Sequence, residues 1–231
     1  MILTLPETLS GIAEVSFEIE RIDYGAPQAG GKQGGVQAGF PLWRAVMQIE
    51  RSDPTSADLW RAFAARLRGR IRRFYCWDTT RPFPLDYRFG FAGLTRAAGG
   101  AFDGSATSWS QAIDSDGEAA VTLNGLPAGM TLQAGDYIGL KWDASGASAG
   151  SYERRTLARA VLPATANGSG VAVITVEPPL NTALVPSGAV AHLDNPRCVM
   201  QLIPERSDVG PIVGPGLLSG AKLEAIQDLR P

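Results

Sequence analysis

The sequence predicts a mainly β protein carrying one short α-helix. Three observations lead there. Short stretches of alternating apolar and polar residues recur along the chain, starting at residues 14–20. Twenty-seven glycines and sixteen prolines lie scattered between such stretches as turn punctuation, not pooled in one tract. Only residues 53–69 carry apolar side chains at convincing helical spacing. With 231 residues, 45% of them hydrophobic, the chain can bury a core of one large β domain or two small ones.

Taken in order, Val15, Phe17 and Ile19 alternate with Glu14, Ser16, Glu18 and Glu20, which describes a half-buried strand with one wet face. Residues 25–39, GAPQAGGKQGGVQAG, are glycine-rich and lack periodicity, so a long loop is expected. In residues 42–50, Trp43, Ala45, Met47 and Ile49 form an apolar face and Arg44, Gln48 and Glu50 a polar one. The simplest arrangement is a hairpin of 14–21 with 42–50 and the glycine loop at its tip.

The helix follows. Asp53 suits the N-cap and Pro54 the first helical position. Leu59, Trp60, Phe63 and Leu67 are its predicted inner face, and Gly69 its stop. Residues 71–77 are then a β-rich run closing on Asp78. The helix is expected to lie as a lid on a β core.

After Tyr87 the composition shifts, and residues 90–117 are rich in Gly, Ala and Ser with turns throughout. A second strand series is expected at 119–123, 136–142, 152–162, 170–176 and 189–193. Asn167-Gly168 is a hairpin signal within it. Five short strands so spaced point to a small barrel or sandwich. Residues 199–203 return as a strand, and the tail is read as loop followed by a short amphipathic segment.

Bulk properties exclude several classes. A net charge of -2 argues against a nucleic-acid binder. No run of eighteen apolar residues exists to span a membrane, and MILTLPETLSGI has neither the basic nor the long apolar region of a secretory leader. Cys76 and Cys198 make no disulfide framework, so free thiols are expected. One His and two distant Cys do not make a zinc set, and no cofactor is expected.

Motifs that suggest chemistry are incomplete. Gly146 to Gly150 fits G-x-S-x-G around Ser148, but a strand-like segment follows where a helix is needed, and His192 is the sole histidine. Gly30-Gly31-Lys32-Gln33 lacks the earlier Gly and the final Ser or Thr of a phosphate loop. Residues 114–118 lack the ligand spacing of a calcium loop. Asp136, Asp143 and Asp194 could supply a carboxylate pair, yet they occupy turns and strand ends where Asp is common. Trp109, Tyr137, Trp142 and Tyr152 are aromatic candidates for stacking on a sugar, with core packing as the alternative.

Three stretches carry a resemblance. These are the lead LPETLSGI into paired strands; LWRAFAARLRGRIRRFYCWDTTRPFP; and AGDYIGL, RRTLARAV and GSGVAVITVEPPL with PRCVMQL after them. Together they resemble the distal tail proteins of long-tailed bacteriophages and related prophages. The resemblance covers most of the chain through diffuse patterns of W, G, D and P. It implies a β-sandwich belt domain with one helix (1–95 and 197–231) and an inserted small β-barrel or sandwich (96–196). It implies a non-enzymatic virion protein, assembled in the host cytoplasm, whose hexameric ring joins the tail tube to the tip or baseplate hub and passes DNA. Gly30, Gly31, Lys32, Gly34 and Gly35 are then candidates to touch a neighbouring subunit, and Glu14, Glu18 and Glu20 to line the lumen, although a plain solvated face fits the acids equally. Cys76 and Cys198 would lie close together, where the chain leaves and re-enters the belt. Another tail component (tube, terminator or hub) or a host-surface glycan-binding module working through Trp109, Tyr137, Trp142 and Tyr152 is the alternative.

Overall fold

A computed structural model describes residues 2–6, 12–28, 32–50, 52–143, 152–213 and 217–229. The protein is mainly β, with one α-helix and several sheets among the described residues. The first strands are β1 (Leu3–Thr4), β2 (Ile12–Glu20), β3 (Asp23–Gln28), β4 (Lys32–Gln37) and β5 (Leu42–Ile49). Helix α1 (Pro54–Leu67) and β6 (Arg73–Cys76) follow. Next come β7 (Ser108–Ile113), β8 (Ala119–Asn124), β9 (Thr131–Leu132), β10 (Tyr137–Trp142), β11 (Arg154–Ala160), β12 (Ala164–Thr165), β13 (Ala172–Glu177) and β14 (Val190–His192). The described chain closes with β15 (Cys198–Leu202), β16 (Ile212–Val213), β17 (Leu217–Leu218) and β18 (Ala221–Gln227).

Helix α1 forms where its caps dictate. The Asp53 carboxylate accepts from the Ser56 N–H at 3.0 Å, and Pro54 takes the first turn, where its missing donor is harmless. The stop differs by one residue from the expected glycine: Arg68 already adopts the left-handed conformation (φ 51°), and Gly69 continues it (φ 63°). The buried face is Ala57, Trp60, Phe63 and Leu67, and Leu59 is turned outward. Ile71 is likewise exposed, because the left-handed turn delays the next strand to Arg73.

The first sheet has the order β1-β6-β15-β18-β5-β2. Strand β2 pairs with β5 antiparallel, Phe17 opposite Ala45 and Glu18 opposite Arg44, as the alternation predicts. Between them, residues 25–39 are not the expected loop. Strands β3 and β4 form a hairpin of their own, from Asp23 opposite Gln37 to Gln28 opposite Lys32. Backbone hydrogen bonds need no side-chain period, and with Tyr24, Val36 and Gln37 exposed there is no buried face to leave one. The tail also differs from expectation. Its amphipathic segment is strand β18, lodged between β15 and β5 in the middle of the sheet. Ala221, Leu223, Ala225 and Gln227 alternate into the core.

The second sheet has the order β14-β10-β11-β13-β8-β7. Its two edges are joined: Ala106 donates to the Ala191 carbonyl and Leu193 to that of Gly104, both at 2.8 Å. The five strands expected between 119 and 193 are present as β8, β10, β11, β13 and β14. Strand β7 was not anticipated. Its exposed, Ser-rich face hides the alternation, and only Trp109 of its side chains packs against the core. The predicted Asn167-Gly168 turn is made by the Asn167 carboxamide, which accepts from Ser169 and Val171.

One core lies against the first sheet and another inside the second. The inner face of the first sheet is covered partly by α1, through Trp60, Phe63 and Leu67, and partly by the outer face of β10–β11, through Tyr137 and Leu157. At that seam Phe17, Trp43 and Tyr137 form an aromatic triad with ring centroids 5.3–5.9 Å apart.

Candidate functional site

The candidate contact surface is the β3–β4 hairpin. Among the described residues no other strand pairs with it, and its base is held by Ala38 donating to the Ile22 carbonyl at 2.8 Å and Arg21 to the Gln37 carboxamide at 2.9 Å. Gly25 stands opposite Gly35 and Ala26 opposite Gly34, so bare backbone runs across both strands. A Cβ at Gly35 would meet nothing within 4 Å. Beside that bare patch Tyr24 and Val36 are direct cross-strand partners, 66% and 70% exposed. Ile22 and Phe40 extend the apolar stripe toward the base. Of the glycine-rich candidates, Gly34 and Gly35 lie in β4. Lys32 is in the ladder opposite Gln28, and Gly30 and Gly31 lie outside the described residues. The apolar stripe was missed because Tyr24 and Val36 stand twelve residues apart in sequence, with no period linking them.

Glu14, Glu18 and Glu20 do share one wet face of β2, the edge strand of the first sheet. The face is less acidic than the strand alone suggests. Glu18 pairs with Arg159 at 2.8 Å and Glu20 with Arg44 at 3.8 Å. Further along the same sheet face lies Glu224, 1% exposed at its side chain and held by Arg44, by Arg206 at 3.2 Å and by Lys222 at 3.2 Å. Burial works to raise its pKa, but the hydrogen bonds from Arg206, Lys222 and Arg44 prevail and keep it below the usual carboxylate value. The surface is a mixed-charge lattice rather than a uniform acidic lining.

The four aromatic candidates do not converge. Tyr137 is buried in the seam with its hydroxyl 3.1 Å from an Asp78 oxygen, which removes it as a sugar platform. Trp109 is half-buried and donates its indole N–H to the Ala189 carbonyl at 2.9 Å. Trp142 and Tyr152 line one shallow cleft. There the Tyr152 hydroxyl accepts from Arg73 at 2.8 Å, and the Arg73 and Arg154 guanidinium carbons lie 5.5 and 6.0 Å from its ring centroid. Among the described residues between 109 and 193, no aromatic side chain is fully exposed.

The groups weighed for chemistry hold structure. Both Asp136 oxygens accept backbone N–H groups, from Leu85 at 2.9 Å and Gln133 at 2.7 Å; burial raises its pKa even so. Asp143 pairs with Arg154 at 3.4 Å. Ser148 and its G-x-S-x-G segment lie outside the described residues. His192 is 3% exposed, and its Nδ1 donates to the Asp194 carbonyl at 2.9 Å. Among the described residues no group of three or more His, Cys, Asp or Glu is placed to hold a metal ion, and no helix is long and apolar enough to cross a membrane.

No family model matches the chain, and no curated protein matches it.

Proposed function

We propose that this chain is a structural virion protein of the distal-tail class. Its subunits form a ring, six-membered by the resemblance, that joins the tail tube to the tip and lets DNA pass. The observation that supports this best is the β3–β4 hairpin, an arm with two ladder edges, a bare Gly25–Gly35 backbone patch and the exposed Tyr24–Val36 pair beside it. An arm of that kind is suited to lie on a neighbouring subunit, since heterologous contacts repeated around an axis close into a ring. In this reading the first sheet and α1 are the belt sandwich (1–95 and 197–231). The second sheet, with its joined edges, is an inserted barrel (96–196). The buried Tyr137 and the arginine-engaged Tyr152 count against a glycan-binding module as the main role.

Native mass spectrometry of the full chain across a concentration series tests the reading. A closed species near six subunits is expected, and Tyr24→Ser with Val36→Ser is expected to return it to monomer. A monomer at every concentration, with or without tube subunits present, overturns the ring.

A further inference from the structure

Strands β10 and β11 put two like charges directly opposite each other. Lys141 is the cross-strand partner of Arg155, on the outer face of the second sheet. Such a pair is destabilising unless something of opposite charge lies between or above it. Arg155 has its complement: it pairs with Glu153, and its guanidinium carbon lies 5.0 Å from the Tyr75 ring centroid. Lys141 has none among the described residues.

Both side chains line a solvent-open recess of about 450 Å³ at the seam between the two sheets. Arg197, on the segment returning to the first sheet, adds a third cation, with its guanidinium carbon 4.2 Å from the Trp77 ring centroid. Two carboxylates share the lining: Asp103, which pairs with Arg96 at 2.7 Å, and Asp194. Ser105 and Asn195 complete the lining together with His192. Its ring has room only because position 139 is glycine, since a Cβ there would come within 2.6 Å of Nε2. With Nδ1 given to the Asp194 carbonyl, Nε2 is buried without a hydrogen-bond partner. Burial first, and the charges of Lys141, Arg155 and Arg197 after it, push the His192 pKa down to about 4. Lys141, Arg155 and Arg197 thus all lie around the neutral imidazole.

We propose that this recess binds a small oxyanion, a carboxylate or a phosphate monoester, with Lys141 as its principal contact and Arg155 and Arg197 flanking it. The anion supplies the complement that Lys141 lacks. This site stands independently of the ring reading, because it uses no residue of the hairpin.

His192 is the only histidine in the chain, so its ring proton resonances are a single resolved reporter on the wall of the recess. The full-length protein is titrated at pH 7 with sodium glucuronate, with glucose 6-phosphate, and with glucose and sodium chloride as controls. A saturating shift of the His192 signals with one or both anions, absent with glucose and weakened at least fivefold in Lys141→Gln, is expected; the two anion arms separate carboxylate from phosphate. Lys141→Gln keeps the fold, since its side chain makes no internal pairing, and an unchanged thermal midpoint checks this. No shift with either anion, a linear shift matched by sodium chloride, or equal affinity in Lys141→Gln overturns the proposal.

Discussion

Trp43 of the first sheet donates its indole N–H to the backbone carbonyl of Leu157 in the second, at 2.9 Å, with both residues at most 1% exposed. The bond sits among the aromatic rings of the seam, where Gln227 of the first sheet also donates to Thr156 Oγ1 of the second at 2.9 Å. Phe17 stacks on Trp43, Tyr137 meets both rings edge-on, and the Arg159 guanidinium carbon lies 5.4 Å from the indole. Replacing Trp43 by Phe removes the donor and leaves the Leu157 carbonyl unsatisfied in a dry interface. The expected loss is about 2 kcal/mol of stability, read as a lower urea midpoint. Phe17→Leu, which keeps the bond, is expected to lose less. Equal losses would show that the hydrogen bond contributes nothing beyond packing.

Glu224 is the hub of the charged lattice on the opposite face. Glu224→Gln leaves Arg44, Arg206 and Lys222 facing one another over a neutral amide, and because these cations are themselves partly exposed the expected cost is about 1 kcal/mol. Its folded-state pKa is lowered, so its contribution is present above the unfolded carboxylate pKa and is lost as pH falls through the folded value. The wild-type advantage over Glu224→Gln in thermal midpoint should therefore shrink on acidification below about pH 4.3. An advantage independent of pH would remove the ion pairs as its cause.

His192 gives the reverse kind of dependence. It is neutral when folded, with a pKa of about 4 against an ordinary 6.5. Above pH 6.5 both folded and unfolded states hold it neutral, and it makes no difference. Between pH 6.5 and about 4 only the unfolded chain takes up the proton, so stability drains away by roughly 3 kcal/mol across that window. Below about 4 the loss stops growing. His192→Gln should flatten this segment of the stability profile relative to wild type, measured by denaturant unfolding at half-unit pH steps. Parallel profiles would place the histidine in a solvated site.

Where one face was buried and the other wet, the sequence was easy to read. Strands β2 and β5 follow from alternation, β8 and β13 alternate in the same way, and α1 follows from Asp53, Pro54 and the Trp60–Phe63–Leu67 spacing. What escaped lacked that contrast. The β3–β4 hairpin is wet on both faces where described, and β7 lends only Trp109 to a core. In β18 the glutamate at 224 is as buried as the leucine at 223, because its charge is satisfied by three cations: Arg44 from β5, Arg206 from the turn after β15 and Lys222 from β18 itself. Leu59 was taken for the inner face of α1 because helical spacing alone does not say which side of the stripe meets the sheet. The recess was invisible for a related reason: Lys141, Arg155 and Arg197 become neighbours only through the β10–β11 register and the return of the chain to β15.

Cys76 and Cys198 stand opposite each other where β6 meets β15, both free and fully buried. Burial pushes the Cys76 thiol up to about 12, so neither group is primed to react. Their position matters more than their chemistry. All of the chain between them departs and returns through one doorway two strands wide. A replacement of the segment between them would leave the register of the first sheet untouched as long as the β6–β15 pairing is kept. The seam sets the condition on any replacement. Phe17 and Trp43 lie bare once β10 and β11 are gone, so an incoming segment must bring an apolar face of its own to roof them.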